Sequence, residues 1–121
     1  MKKILLIEDE KILADLLVKR LREENYDVSS AEDGEEGLKK IKEEKPDLIL
    51  LDIIMPKKGG FEVLEEMQKS SELKDVPVIV ISNSGQPVEI SRALELGVKD
   101  YLIKTQFDPE EVINKVKRQI G

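Results

Sequence analysis

Four short apolar runs, each closing on polar residues, constrain the fold of this chain more than any other feature. Ile4-Leu5-Leu6-Ile7 leads into Glu8-Asp9-Glu10, and Leu48-Ile49-Leu50-Leu51 leads into Asp52. Val78-Ile79-Val80-Ile81 leads into Ser82-Asn83-Ser84-Gly85, and Tyr101-Leu102-Ile103 leads into Lys104-Thr105. Strands of a parallel sheet are buried on both faces and read as continuous apolar runs. A polar group just after such a run stands at the strand's carboxyl end, the rim where ligands bind in open α/β sheets. A single Asp there could simply cap a turn. Four polar strand ends on one edge bring acids, a hydroxyl and a lysine to one spot.

Helical periodicity separates these runs. Leu13, Leu17 and Leu21, with Ile12 and Leu16 widening the stripe, predict a helix over about 10–24. Leu38 and Ile41 predict one over about 34–44, and Phe61, Leu64 and Met67 one over about 60–70. Ile90, Ala93 and Leu94 predict one over about 88–96, stopped by Gly97. The last holds Val112, Ile113, Val116 and Ile120 and starts at Asp108-Pro109-Glu110, a cap followed by proline at the first helical position. Asp27-Val28-Ser29-Ser30-Ala31 is a weaker strand whose few apolar residues suit a sheet edge. Five βα units predict an α/β fold, a doubly wound five-stranded parallel sheet between helices. Of the two common doubly wound orders, five strands select the flavodoxin-like 2-1-3-4-5.

At 121 residues the chain has the length of one domain and can bury a core without disulfide or structural metal. It contains neither Cys nor His, which excludes thiol chemistry, His-based acid–base catalysis and Cys or His metal sites. Any bound ion must sit on oxygen ligands, which favours magnesium, manganese or calcium. A net charge of −6 with 38% charged residues is a poor match for nucleic acid. The small basic group Lys115, Lys117 and Arg118 reads as favourable charge at a helix carboxyl terminus. The opening apolar stretch is too short for a signal peptide, and no run approaches the roughly 18 residues of a membrane span. A soluble, cytoplasmic protein with no membrane contact is expected.

In the 2-1-3-4-5 order the first and third strands are neighbours, so Asp9 and Asp52 end side by side with Glu8 close by. Such carboxylates repel one another unless one is protonated or a cation neutralises them. No Lys or Arg is adjacent in sequence, so a divalent cation is the simpler solution. Magnesium typically takes one or two carboxylates, waters and a phosphate. Beside Ser82 and Lys104, the acids therefore describe a phosphoryl-transfer site. No GxGxxG or GxxxxGK[ST] motif is present, and Glu8-Asp9-Glu10 would repel a bound nucleotide or flavin phosphate. A carboxylate is the expected destination of the phosphoryl group, with Asp52 as nucleophile.

These pieces resemble the receiver domain of two-component response regulators, the CheY-like three-layer sandwich of single-domain chemotaxis and sporulation receivers. The resemblance covers the whole chain, as a receiver domain over 1–121 with no output domain. It rests on Glu8-Asp9, on Asp52-x-x-Met55-Pro56-x-x-x-Gly60, on Ser82, on Gly97-Val98-Lys99-Asp100-Tyr101 and on Lys104. It implies that Asp52 accepts a phosphoryl group from the phosphohistidine of a sensor histidine kinase or a histidine phosphotransfer protein. It implies that Glu8, Asp9, Asp52 and the backbone carbonyl of Ile54 arrange a Mg2+ shell (Mn2+ also suits), and that Lys104 and Ser82 bind phosphoryl oxygens. Tyr101 would be the switch aromatic that swings inward with Ser82. Phosphorylation would change the surface of the fourth helix, fifth strand and fifth helix for a downstream protein target or a homodimer, without direct nucleic-acid binding.

The family usually has proline after the lysine, joined by a cis peptide, whereas here Thr105 follows in a loop one residue longer. A cis bond before Thr costs about 2.5–4 kcal/mol, so a trans bond is expected. Two other functions compete with the switch. A magnesium-dependent phosphatase with an aspartate nucleophile normally carries a second Asp two residues on, but that position is Ile54, which transfers no proton. A receiver that binds partners without phosphorylation would not need the intact set of acids, hydroxyl and lysine. Ile54 and Ser84 offer little to orient a hydrolytic water, which predicts slow loss of the phosphoryl group.

Overall fold

In the computed structural model, which describes residues 1–106 and 108–121, five strands and five helices alternate. They are β1 (Lys3–Ile7), α1 (Lys11–Glu23), β2 (Asp27–Ala31), α2 (Gly34–Glu44), β3 (Leu48–Asp52), α3 (Gly60–Gln68), β4 (Val78–Ser82), α4 (Pro87–Glu95), β5 (Asp100–Ile103) and α5 (Pro109–Ile120). All strand pairs are parallel, and the order is β2-β1-β3-β4-β5, as expected from five βα units. The weak strand β2 lies at one edge. Among the described residues, no helix is long and apolar enough to cross a membrane.

Strand side chains alternate between faces, so the sheet carries two cores. Leu5, Ile7, Ile49, Leu51, Val78 and Val80 pack with residues of α2, α3 and α4. Ile4, Leu6, Leu48, Leu50, Ile79 and Ile81 pack with residues of α1 and α5. The predicted cap of α5 is present: the Asp108 side chain accepts from the Glu111 N–H at 3.0 Å, with Pro109 in the first turn. The basic residues of this helix are partly engaged in ion pairs, Lys115 with Asp100 and Lys117 with Glu24.

Two expected stripes are narrower than the sequence implied. In α1 the buried face is Ala14, Leu17 and Leu21, while Ile12 is 88% and Leu16 47% exposed. At about 100° per residue, Ile12 lies roughly 140° and Leu16 roughly 100° around the helix from Leu17. A helix resting on one face of a sheet covers a narrower arc than that. Leu94 of α4 is likewise 53% exposed, about 100° from the buried Ala93.

Among the described residues no peptide bond is cis, so Lys104–Thr105 is trans, as its cost predicts. Phe107, in the loop expected to carry the extra residue, lies outside the described residues.

Candidate functional site

Parallel register explains how four distant segments meet. Ile7 pairs with Leu51, Asp52 with Ile81, and Ser82 with Ile103. Glu8, Asp52, Ser82 and Lys104 therefore stand along one rim, each at or just past the end of its strand. Backbone bonds extend the ladder there: Glu8 N–H donates to the Ala31 carbonyl at 3.0 Å and Lys104 N–H to the Ser82 carbonyl at 2.7 Å. The β3–α3 loop folds back so closely that a Cβ on Gly60 would stand 2.5 Å from the Asp52 carbonyl oxygen. Only glycine fits that approach.

Glu8, Asp52 and Ser82 are buried, and Asp9 is exposed. One oxygen from each of Glu8, Asp9 and Asp52 lies within 4.8 Å of the others. The ammonium of Lys104 sits among the acids, 2.9 Å from Glu8, 2.9 Å from Glu10 and 3.3 Å from Asp52. The sequence makes a divalent ion the simpler counter-charge, and the fold supplies the lysine as another. The counter-charge comes from a residue 52 positions away from Asp52, brought in by β5. Glu10 was not singled out in the sequence as a partner of the lysine, because no spacing pattern links residues 94 apart.

The ion pairs do not fully offset crowding. Burial first, and then the charge of Glu8, push the Asp52 carboxyl up to about 7, with Lys104 pulling the other way. Burial also raises Glu8, against the N–H of Glu10 and the Lys104 ammonium. Burial works against the charge of Lys104, but its bonds to Glu8 and Glu10 and the charge of Asp52 prevail and hold it above the usual lysine range. Both Glu8 carboxylate oxygens lie 2.9 Å from the Lys104 ammonium, and only Oε2 has the geometry of a hydrogen bond. Three carboxylates that each bring an oxygen within 4.8 Å of the others fit a hard, oxygen-coordinated divalent cation.

The opposite side of the rim is neutral. The Ser84 N–H donates to Ser82 Oγ at 3.1 Å, and the Tyr101 hydroxyl donates to the Ser84 carbonyl at 2.8 Å. Tyr101 is half-buried and packs against the core, so its ring is already engaged with the loop after β4. Ile54 donates its N–H to Asp52 Oδ1 at 3.3 Å, while its side chain is 65% exposed at the mouth of the site.

Comparison with known proteins agrees with this arrangement. The family model described as the response regulator receiver domain matches residues 4–117. The alkaline phosphatase synthesis transcriptional regulatory protein PhoP of Bacillus subtilis (strain 168) is 40% identical over 116 residues. That match covers 96% of this chain and 47% of PhoP, so the chain spans about half the length of this relative. Chemotaxis protein CheY4 of Vibrio cholerae superposes with a TM-score of 0.91 at 27% identity, over 99% of both chains. Response regulator protein TrrA of Thermotoga maritima, solved in complex with Mg2+ and BeF, gives a TM-score of 0.86 at 35% identity, over 99% of this chain and 100% of that one.

Proposed function

This chain belongs to the family of response regulator receiver domains, and from that membership we propose that Asp52 is its phosphoacceptor. A carboxylate oxygen of Asp52 attacks the phosphorus of a kinase phosphohistidine. A P–O bond to Asp52 forms as the P–N bond breaks, and the histidine ring leaves with the electron pair and takes up a proton. The reading is carried by one observation: a buried carboxylate at the end of β3 with a lysine ammonium 3.3 Å away and two further acids beside it.

Each neighbour then has a task. Glu8, Asp9, Asp52 and the Ile54 carbonyl would hold Mg2+, or Mn2+ in its place. When bound, that ion neutralises charge on the phosphoryl oxygens and on the acids. Lys104 supplies a second, fixed positive charge from the protein itself. Ser82 offers its hydroxyl to a phosphoryl oxygen, a move that frees or strains its bond with the Ser84 N–H. Because the Tyr101 hydroxyl holds the Ser84 carbonyl, that motion passes to the α4–β5 surface. The surface so changed serves a downstream protein or a second copy of the chain.

The domain is proposed to span 1–121 and to act in the cytoplasm. In a longer protein that regulates transcription, as PhoP is named to do, any DNA contact would then lie outside these residues. Incubation with acetyl phosphate and Mg2+, followed by mass spectrometry of the intact chain and its peptides, tests the reading. One phosphoryl group on the peptide containing Asp52, absent when the divalent ion is chelated, is the expected result. Labelling elsewhere, or turnover of many phosphates per chain, would end it.

A further inference from the structure

Glu10 has no task in the reading above, yet its side chain reaches from the exposed rim to a buried lysine. Its carboxylate lies 2.9 Å from the Lys104 ammonium, whose own side chain is only 7% exposed. Glu10 immediately precedes α1 but makes no side-chain capping bond there. Glutamate is not a favoured cap, so the side chain is free to turn inward. Its backbone N–H meanwhile donates to Glu8 Oε2 at 3.0 Å. One residue therefore steadies both the lysine and the buried acid.

A lysine ammonium has three donors, and Glu8, Glu10 and Asp52 engage them all. A second phosphoryl oxygen can be bonded only if Glu8 or Glu10 releases its share. The Glu8 side chain is 1% exposed and held in place by the Glu10 N–H, whereas that of Glu10 is 52% exposed and rehydrates on release. Releasing Glu10 is the smaller loss.

We propose that Glu10 is a positioning residue that holds Lys104 beside the acids of β1 and competes with the phosphoryl group for its ammonium. This rests on the phosphoacceptor reading of Asp52. Removing the competitor should favour the phosphorylated form, the reverse of what a merely structural contact would do.

The test is equilibrium binding of beryllium trifluoride, a phosphoryl mimic, at saturating Mg2+, measured by calorimetry. The proteins are the parent, Glu10→Gln, Lys104→Met and the double variant. Glu10→Gln should bind about two- to fivefold more tightly than the parent, the size expected of a half-exposed ion pair. The same substitution should change nothing in the Lys104→Met background. Unchanged or weaker binding overturns the proposal. So does equal tightening in both backgrounds, which would be a through-space charge effect. If Lys104→Met takes no mimic, urea unfolding without divalent ion reads the coupling: Glu10→Gln should cost stability only where Lys104 is present, and an equal cost in both backgrounds overturns the proposal. A parent that binds no mimic removes the phosphoacceptor reading itself, and the competition with it. A parent that binds while Glu10→Gln behaves like it removes the competition alone.

Discussion

On the β1–β3 side of the rim, three carboxylates gather around one ammonium, with Asp9 beside them. On the β4–β5 side, a hydroxyl, two backbone groups and a phenol form a neutral chain from Ser82 to Tyr101. The two sides lie on the same rim of the sheet but respond to different things. Charge crowded in a buried site answers strongly to an added cation or phosphoryl group. A chain of neutral hydrogen bonds answers to position, since its bonds need good distance and direction. A switch needs both, one side to detect the charge and the other to turn it into movement.

The comparison is broken most completely by Asp52→Asn. It removes the proposed acceptor, so phosphoryl labelling by acetyl phosphate should vanish in intact-mass spectra, while the neutral side keeps its bonds. The same change relieves repulsion, and the ion-free variant should melt above the parent.

Lys104→Met attacks the charged side from the other direction, by leaving Glu8 and Asp52 buried without their counter-ion. A loss of about 3 kcal/mol is expected at pH 8, in line with breaking a buried pair from one side. The loss should shrink at pH 5, where the acids can protonate. Urea unfolding at the two pH values checks both statements.

The pH dependence of the parent is the next smaller effect. An unfolded Asp titrates near 3.9, whereas Asp52 is pushed up to about 7 in the fold. Between these values the folded state holds a proton that the unfolded chain has lost. The contribution is therefore fully present below about pH 4 and is lost as pH rises through about 7. Without divalent ion, stability attributable to Asp52 should fall on the order of 2 kcal/mol across that window, after solvent screening is allowed for. It is read as the difference in urea midpoint between the parent and Asp52→Asn. Added Mg2+ should offset the fall at high pH, by about 2.7 kcal/mol at a hundredfold excess over its dissociation constant. A parent indifferent to Mg2+ argues against a shared ion site.

Tyr101→Phe probes the neutral side and should be the gentlest. Losing the bond to the Ser84 carbonyl costs about 1 kcal/mol or less. Amide exchange at Ser84 should quicken, while labelling of Asp52 persists. Loss of labelling in this variant would show that the two sides are not separable.

Much of this was readable in advance where a signal is local. Asp108-Pro109 announced the start of α5, and the apolar runs located β1, β3, β4 and β5 to within a residue or so. The acids, Ser82 and Lys104 were legible as a group because parallel strands must end on one rim. Ile12 and Leu16 were misread for a reason equally local: a leucine-rich segment does not say how wide an arc its neighbours cover. Glu10 stayed hidden because its partner is set by how β5 stands relative to β1 across β3 and β4, and not by any pattern of residues.

The order of apolar and polar residues alone determined that this chain alternates strand and helix, and that Glu8, Asp52, Ser82 and Lys104 end their strands at a common edge. That much follows from the two-residue period of a strand and the 3.6-residue period of a helix. Only the tertiary structure decided which groups touch. It placed Lys104 between Glu8, Glu10 and Asp52, gathered Asp9 beside them, and tied Tyr101 to the loop that carries Ser84. Charge in a buried site acts over a few ångströms and depends steeply on burial. Those distances are set by how whole strands pack, so no segment of sequence contains them.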